Sequence, residues 1–346
     1  MNFEVRVIDN LSSGRIENVA LFEGRDGYRF FRMDITESDK LQSIFEGADW
    51  IFHLAALADI VPSVRSPLSY HRANVDGTVS ALEAARQVGV KRFVYAASST
   101  CYGIPDLYPT PETAPIRAQY PYALTKYVGE AYVMHWSQVY DLPAVSLRLF
   151  NVYGRRARTT GAYGLVFGVF LAQKLDGKPL TIVGDGEQTR DFTYVADVVG
   201  AMVAAAESDI KGEIFNVGSG NRYSVNRLAS TIGGAVEYIP KRPGEPDCTW
   251  ADTTKIRERL GWQPLVSFEE GVAIMLNHIE DWRDAPVWTR ETIAEATADW
   301  FKYLGRSEGN CGEHTNAAGG GRRPRTGGQL RLADPAPPAG RDLKGG

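Results

Sequence analysis

Cysteine and long apolar runs are both scarce in this 346-residue chain, and each scarcity excludes a class of protein. The three cysteines, Cys101, Cys248 and Cys311, have neither the spacing of a metal site nor that of a disulfide framework. We therefore expect no metal and a reducing, cytoplasmic environment. No apolar run reaches the roughly 18 residues of a membrane helix, and no secretory leader pattern is visible, so we expect no membrane contact.

An excess of charge of one sign is also missing. Lys and Arg number 38 and Asp and Glu 42, giving a formal net charge of −4, so no basic field attracts nucleic acid. The 44% apolar and 23% charged content is ordinary for a globular protein with a hydrophobic core. We expect small-molecule chemistry and no nucleic-acid partner.

A third absence is more specific. No Gly-x-Gly-x-x-Gly or Gly-x-x-Gly-x-x-Gly turn opens a helix after a strand, and Gly218-Ser219-Gly220 follows a late strand without the third glycine. Such a turn supplies the backbone N–H groups and the helix N-terminus that bind a pyrophosphate. This absence departs from the architecture that the rest of the chain predicts.

Strands and helices alternate along most of the chain. Apolar, β-rich runs that predict strands occur at 3–8, 28–33, 50–54, 93–97, 144–150 and 213–217. Helical periodicity occurs at 38–45, 67–89, from 122 onward, and at 253–260, 267–284 and 289–303. Strands that alternate with helices of this length predict an α/β fold with a doubly wound parallel sheet. The tryptophans of the late helices, including Trp300, are predicted to pack in the core.

The pair Tyr122 and Lys126 gives the first chemical prediction. The two residues begin a long helical pattern after the strand 93–97, which ends at Ser98. Residues i and i+4 share a helix face, so the ammonium can lie beside the phenol. A phenol titrates at about pH 10, and a neighbouring cation lowers that pKa. With a hydroxyl from the strand end Ser98-Ser99-Thr100 as a proton relay, the pair predicts a general base for a substrate alcohol, although surface Tyr–Lys pairs share the spacing.

The wider sequence resembles the extended short-chain dehydrogenase/reductase family, and within it the NAD-dependent epimerases and dehydratases of the UDP-glucose 4-epimerase type. The resemblance covers residues 3 to about 304 and is carried by 98–103, 121–126, 148–154 and 184–192. It implies a Rossmann-like fold and catalytic roles for Ser98, Tyr122 and Lys126. It also implies reversible oxidation at C4 of a UDP-hexose by NAD. The configuration at C4 is inverted when the 4-keto sugar presents its other face to the returning hydride.

The same resemblance implies a set of cofactor contacts. Asp9 would bind the adenosine ribose and favours NAD over NADP, although an Asp-Asn pair also forms turns. Asn74 would support the strand ends around the nicotinamide, with local helix bonding as the alternative. The full implied set is Asp9, Asn10, Ser13, Asp34, Ile35, Leu54, Ala55, Ala56, Asn74, Tyr122 and Lys126.

Substrate contacts are implied in the second half of the chain. Arg190 and Arg242 offer planar donors for a diphosphate, and Glu245 would take the nucleotide ribose. Thr249 stands where a bulky aromatic residue excludes 2-acetamido sugars in some members, so we expect UDP-N-acetylglucosamine to be accepted. The implied set is Ser98, Asn151, Arg190, Arg242, Glu245 and Thr249.

The resemblance also divides the chain. Residues 1–155 would form the dinucleotide-binding domain, and 156–305 mainly a smaller mixed α/β substrate domain, with about 191–220 returning to the first. The strand 3–8 would be the second strand of the family fold, so the first strand, Gly-rich loop and first helix are predicted to be missing. The Gly-, Pro- and Arg-rich residues 306–346 predict a disordered tail.

Several functions stay open. Dehydratases and decarboxylases on this scaffold need a carboxylate where the chain has Ser99 and Thr100, which disfavours both eliminations. UDP-glucuronate 4-epimerisation uses the same three catalytic residues. A catalytically inactive fragment lacking the NAD phosphate loop is the hypothesis of another class. A homodimer is compatible with the resemblance.

Overall fold

The computed structural model describes residues 3–159 and 164–305, and the predicted tail at 306–346 lies outside them. All of the described residues fall in one unit of the chain, Met1–Gly309. The strands are β1 (Val5–Asp9), β2 (Tyr28–Arg32), β3 (Trp50–His53), β4 (Arg92–Ser98), β5 (Ala144–Leu149), β6 (Val152–Tyr153), β7 (Leu180–Val183), β8 (Thr189–Arg190), β9 (Thr193–Tyr194), β10 (Glu213–Val217), β11 (Tyr223–Ser224) and β12 (Val236–Ile239). The α-helices are α1 (Ile16–Ala20), α2 (Ser38–Phe45), α3 (Ile60–Arg65), α4 (Pro67–His71), α5 (Gly77–Val88), α6 (Pro121–Tyr140), α7 (Val166–Leu175), α8 (Val195–Glu207), α9 (Val225–Ile232), α10 (Thr254–Leu260), α11 (Phe268–Asn277) and α12 (Arg290–Leu304).

A four-stranded parallel sheet has the order β10-β5-β4-β3. Strand β4 is buried at every position, as expected for a central strand that helices cover on both faces. Phe93 and Tyr95 face a cluster that includes residues of α5 and α6, whereas Val94 and Ala96 face a cluster that includes residues of α8. This alternation confirms the predicted doubly wound, Rossmann-like sheet.

Strands β1 and β2 form a separate parallel pair, in which Val5 lies opposite Tyr28. Within the described ranges neither β1 nor β3 pairs with a second strand. The two come close at their amino ends, where the rings of Phe3 and Trp50 have centroids 5.8 Å apart. The predicted missing strand would lie between β1 and β3, and the described residues form no strand there.

The second half of the chain builds three two-stranded sheets, β7 with β12, β8 with β11 and β6 with β9. Their core is formed by apolar side chains of α7, α9 and α11 together with Leu180 and Ile182 of β7. Strand β10 pairs with β5 in the large sheet, so the chain returns to that sheet after leaving it. The domain boundaries at 155 and 305 stay predictions, because Met1–Gly309 forms one unit.

Two predicted helices are shorter in the structure. The pattern at 67–89 splits into α4, a π-helical turn at Arg72–Asp76, and α5. The pattern at 267–284 ends as an α-helix at Asn277 and continues as a 3-10 turn at Ile279–Trp282. The π-turn carries Asn74, whose side chain bonds to the loop after β3 and to α6.

Three features are absent from the described part of the chain. None of its helices is long and apolar enough to span a bilayer. Its His, Cys, Asp and Glu side chains form no group of three that could hold a metal ion. Its two cysteines, Cys101 and Cys248, form no disulfide.

Candidate active site

A cavity of about 730 Å³ lies beyond the carboxyl ends of β4 and β5, where ligands of open α/β sheets bind. Residues from both halves of the chain line it. Among the predicted site residues, those on its wall are Ser13, Leu54, Ala56, Ser98, Tyr122, Lys126, Asn151, Arg190, Arg242, Glu245 and Thr249. Those that do not line it are Asp9, Asn10, Asp34, Ile35, Ala55 and Asn74.

Strand β4 and helix α6 place the three predicted catalytic residues on this wall. Ser98 is the last residue of β4, and its hydroxyl lies 2.9 Å from the Thr100 hydroxyl. Tyr122 follows Pro121, which begins α6 with the fixed backbone angle that suits a first helical position. Lys126 lies one helical turn later, and all three side chains border the cavity.

Burial controls the protonation of this group. Burial raises the pKa of Tyr122, the Ser98 hydroxyl opposes the shift through hydrogen bonding, and the negative charge of Asp59 adds to it. Burial also lowers the pKa of Lys126 to about 7, against an attraction to Glu130. Desolvation is the largest influence on the pKa of both groups, and no lowering of the phenol pKa by Lys126 is found in this structure.

The ammonium of Lys126 has few partners. Its Nζ lies 4.4 Å from the centroid of the Tyr95 ring, a cation–π contact, and the residue is 4% exposed. No residue of the described ranges accepts a hydrogen bond from Nζ at normal distance. A buried donor of this kind at a cavity wall is suited to bind the hydroxyl groups of a ligand.

Asn74 lies behind the wall and is fully buried. Its Oδ1 accepts a hydrogen bond from the Leu57 N–H at 2.8 Å, and its Nδ2 donates to the Leu57 carbonyl at 2.9 Å. The same Nδ2 donates to the Thr125 hydroxyl at 3.0 Å, and that hydroxyl donates to the Tyr122 carbonyl. These bonds hold the loop after β3 against α6, so the alternative of purely local helix bonding is wrong.

The turns after β1 and β2 lie next to each other, and each of them carries a carboxylate. Asp9 accepts a hydrogen bond from the Leu11 N–H at 2.6 Å, and Asn10 donates to Asp34 at 2.8 Å. Hydrogen bonds from Thr36 and Asn10 lower the pKa of Asp34. Both carboxylates are partly accessible acceptors at strand ends, which is the chemistry that a ribose requires.

Ile35 has a different environment. Its side chain packs against α5, where a Cβ at Gly77 would lie 2.5 Å from the Ile35 Cδ1 atom. A larger residue at position 77 would require the end of the Ile35 side chain to move.

Two arginines share one carboxylate at the other end of the cavity. Arg190 donates to Glu245 at 2.8 Å, and Arg242 lies 3.8 Å from the second oxygen of the same carboxylate. The three side chains are 11%, 13% and 20% exposed in the order Arg190, Arg242, Glu245. Two guanidinium groups against one carboxylate leave a net positive charge, which favours a bound anion.

Asn151 and Thr249 meet on the same wall. Asn151 has a positive φ of 30°, and its Nδ2 donates to the Thr249 hydroxyl at 2.7 Å. The Asp191 N–H donates to that hydroxyl as well, at 3.2 Å. Asp191 itself is fully buried and accepts bonds from the Ser219 N–H and hydroxyl, each at 2.6 Å. Burial raises the pKa of Asp191 to about 6.

Sequence reasoning missed several residues of the site. Asp59 and Arg158 form an ion pair on the cavity wall, although they are distant in sequence. Tyr70 accepts a hydrogen bond from the Asp59 N–H, and its ring meets that of Tyr122 edge-on with centroids 6.5 Å apart. Residues 155–158 include three arginines, a basic cluster that is visible in the sequence and contains Arg158. No local pattern indicated its partner.

Trp300 is the other omission. The prediction that it packs in the core is correct as to burial, since it is 5% exposed, but its side chain also lines the cavity. Tryptophan at a helical core position carries no signal that separates these two environments.

A buried ion pair supports the floor of the site. Glu130 of α6 and Arg148 of β5 lie 2.6 Å apart, at 2% and 4% side-chain exposure. Arg148 also donates to the Tyr102 hydroxyl at 2.8 Å, and Tyr102 donates to Asn216 of β10 at 2.7 Å. The network joins α6, two strands of the large sheet and the segment after Ser98, so we expect its loss to be strongly destabilising.

Comparison with known proteins now decides the family. A family model described as GDP-mannose 4,6 dehydratase matches residues 2–275. The UDP-glucose 4-epimerase of Mycolicibacterium smegmatis is 40% identical over 274 residues, which are 77% of this chain and 87% of that protein. The chain belongs to the NAD-dependent epimerase/dehydratase family of short-chain dehydrogenases/reductases.

Solved structures of this family share the fold. UDP-glucose 4-epimerase from Thermotoga maritima, crystallised with UDP-glucose, aligns with a TM-score of 0.74 and 35% identity, covering 80% of this chain and 90% of that one. UDP-glucuronic acid 4-epimerase from Bacillus cereus, in complex with UDP-glucuronic acid and NAD, aligns with a TM-score of 0.73 and 30% identity, covering 80% and 91%. The predicted family and fold class are confirmed.

Proposed function

We propose that this member of the epimerase/dehydratase family is an NAD-dependent 4-epimerase of UDP-hexoses. The observation that carries the proposal is that one cavity joins Ser98, Tyr122 and Lys126 to the Arg190, Arg242 and Glu245 cluster. The first group suits proton transfer at a sugar hydroxyl, and the second suits a diphosphate and a ribose. A UDP-sugar is the class of ligand that needs both at once.

The proton chemistry follows from the burial of the catalytic group. Tyr122 would remove the proton of the sugar 4-hydroxyl, while Ser98 holds that hydroxyl through its own oxygen. Burial raises the pKa of Tyr122, so the phenol needs a positive charge beside it before it can act as a base. Lys126, with a pKa of about 7, carries that charge once an acceptor engages its ammonium.

Residues at both ends of the proposed binding region have the chemistry that NAD requires. Lys126 offers a buried donor without a described acceptor, and Asp9 and Asp34 offer carboxylates at the ends of β1 and β2. When bound, NAD supplies reversible acceptance of the hydride from C4. The described residues include no glycine-rich turn before a helix for the pyrophosphate, where each charge-assisted hydrogen bond contributes about 1.5–3 kcal/mol. Retention of NAD is therefore the first quantity to measure.

Epimerisation is favoured over elimination by two uncharged residues. Ser99 and Thr100 line the cavity next to Ser98, and neither can act as a carboxylate acid or base. Asp59 also lines the cavity, but its carboxylate is paired with Arg158. UDP-glucuronate is the second candidate substrate, because the same Ser98, Tyr122 and Lys126 would act on its C4.

The test begins with the purified chain, from which nicotinamide is released by denaturation and quantified. The chain is then supplied with NAD and UDP-glucose, and UDP-galactose is measured by chromatography, with UDP-glucuronate in a parallel reaction. We expect interconversion at C4, and none with Tyr122→Phe. A chain that holds NAD but yields a 4-keto-6-deoxy sugar, or converts no UDP-sugar, would refute the proposal.

A further inference from the structure

Helix α12 (Arg290–Leu304) begins after the last residue of the family match, which ends at 275. Thr289 caps the helix through a reciprocal pair of hydrogen bonds with Thr292. Ile293, Thr297 and Trp300 are its buried residues, spaced so that they lie on one helix face. This segment therefore has a defined inward face that the family match does not include.

The inward face is anchored at both ends. Ile293 packs with Val183 of β7 and Ile239 of β12, and it does not itself line the cavity, although Val183 does. At the other end Asp299 accepts a hydrogen bond from Arg65 of α3 at 2.5 Å. Thr297 lies between these anchors and Trp300 directly follows Asp299, and both residues line the cavity. The helix is thus held against two different parts of the fold, and its middle forms part of the active-site wall.

Trp300 contacts the phosphate end of the cavity. Its indole N–H donates to the Pro243 carbonyl at 2.7 Å, within the turn that carries Arg242 and Glu245. The guanidinium carbon of Arg242 lies 5.3 Å from the centroid of the Trp300 ring. A cation–π contact at 13% exposure of the arginine side chain is partly desolvated, and so is stronger than one at the surface.

Trp300 also contacts the catalytic end. Its ring lies 6.4 Å from the ring of Tyr120. The ring of Tyr120 in turn lies almost parallel to that of Tyr122, at 6.4 Å and an interplanar angle of 11°. The aromatic series Trp300–Tyr120–Tyr122 therefore runs from the residue that contacts Arg242 to the proposed general base.

We propose that Trp300 is a positioning residue that sets the location of Arg242 and of Tyr122 relative to one another. This inference rests on the proposed function, since a UDP-sugar would be held between these two residues. A near-attack geometry depends on such fixed distances, and an error of about 1 Å costs about a hundredfold in rate. A tryptophan that served only the hydrophobic core would affect stability without affecting substrate affinity or turnover.

Three variants separate the two roles. Trp300→Leu removes the ring and its N–H, and Trp300→Phe keeps a ring but loses the bond to Pro243. Ile293→Ala weakens the same helix at a position that does not line the cavity. For Trp300→Leu we expect the KM for UDP-glucose to rise about two- to thirty-fold, the range of a cation–π contact, and kcat to fall as well. Trp300→Phe should recover part of both losses.

The control variant decides the meaning of these changes. Ile293→Ala should lower Tm at least as much as Trp300→Leu while leaving KM and kcat within about twofold. If Ile293→Ala and Trp300→Leu change KM alike, or if Trp300→Leu leaves both constants unchanged, the inference is wrong. If Trp300→Leu does not fold, the same criteria apply to Trp300→Phe.

A readout without turnover separates this inference from the proposed function. Hydrogen exchange measured by mass spectrometry should rise in peptides covering 118–124 and 240–246 in Trp300→Leu, and not in Ile293→Ala. A parent that converts no UDP-sugar would refute the function and leave this exchange result as the deciding test. Unchanged exchange in both peptides would overturn the positioning role.

Discussion

The two ends of the cavity satisfy their charges in different ways. At one end Arg190 and Arg242 share Glu245, so each charge has an opposite charge beside it. At the other end Lys126 lies against a ring face and is attracted to Glu130, but burial outweighs that attraction and also displaces the pKa of Tyr122. Burial displaces the pKa of an ionisable group where the attraction of an opposite charge does not offset the desolvation.

This difference in charge pairing corresponds to the roles proposed for the two ends, substrate binding at the arginine end and proton transfer at the Lys126 end. An arginine that already has a carboxylate partner can exchange part of that contact for a phosphate without changing protonation. A general base must change protonation, and a group with a displaced pKa does so in response to a small change in its surroundings. We expect substitutions at the two ends to affect different measured quantities.

The largest effect should come from Tyr122→Phe, which removes one oxygen from the catalytic end. Loss of a general base lowers kcat by about 10²–10⁴-fold. The free energy of unfolding should change by no more than about 0.5 kcal/mol, because the ring and its packing remain. Both quantities are measured on protein with equal NAD content. A variant with parental turnover would remove Tyr122 from the base role.

Arg190→Met should act on affinity instead. The loss of a charge-assisted hydrogen bond of about 1.5–3 kcal/mol weakens UDP binding by about ten- to a hundredfold. Calorimetric titration with UDP measures this without turnover. The matched control is Arg227→Met, because Arg227 pairs with Glu269 on an exposed surface at 3.2 Å and does not line the cavity. Equal affinity in the two variants would contradict the assigned binding end.

Lys126→Met should change stability in a pH-dependent way. The folded-state pKa of Lys126, about 7, lies below the ordinary value of 10.5, so the unfolded chain binds the proton more tightly. The contribution of Lys126 to stability is therefore fully present above pH 10.5 and is lost as the pH falls toward 7, by at most about 1.4 kcal/mol per pH unit.

The measurement is Tm for both proteins between pH 7 and pH 10. The methionine variant should be the more stable at pH 7, and the difference should shrink as the pH rises. A difference that does not depend on pH would show that the ammonium is solvated in the folded protein.

The smallest effect concerns sugar selectivity at Thr249. We expect the parent to convert UDP-N-acetylglucosamine beside UDP-glucose, and Thr249→Tyr to lower the relative rate for the acetamido sugar about tenfold or more by filling the pocket. Thr249→Ser is the control, because it keeps the hydroxyl that accepts from Asn151. Competition kinetics measure the ratio. A parent with strict preference for the plain hexose would contradict the prediction.

The difference between the two ends also explains which residues sequence reasoning could find. Ser98, Tyr122 and Lys126 follow one another within 29 residues, so helix periodicity and the end of the strand, together with a short family motif, grouped them. Arg190, Arg242 and Glu245 were grouped only through a family resemblance, and the structure shows the carboxylate that the two arginines share. The role of Asn74 was half predicted, because its partners Leu57 and Thr125 lie on other elements.

Asp59, Asp191 and Trp300 could not be found in this way. Asp59 pairs with Arg158 across 99 positions, and the Trp300 N–H reaches Pro243 across 57. Asp191 is buried, but the mostly polar sequence around it indicates neither its burial nor the donors that satisfy it. Contacts over such separations depend on how elements pack, and no local pattern encodes them.

The sequence by itself determined the alternation of strands and helices and the family, and it grouped the three proposed catalytic residues, because side-chain periodicity and short motifs are local properties of the chain. Only the tertiary structure decided the displaced pKa values of Tyr122 and Lys126 and the place of Trp300 on the cavity wall. The physical reason is the same for both. A pKa depends on every charge and every layer of protein around a group, and a cavity wall depends on which helix the rest of the fold brings against it.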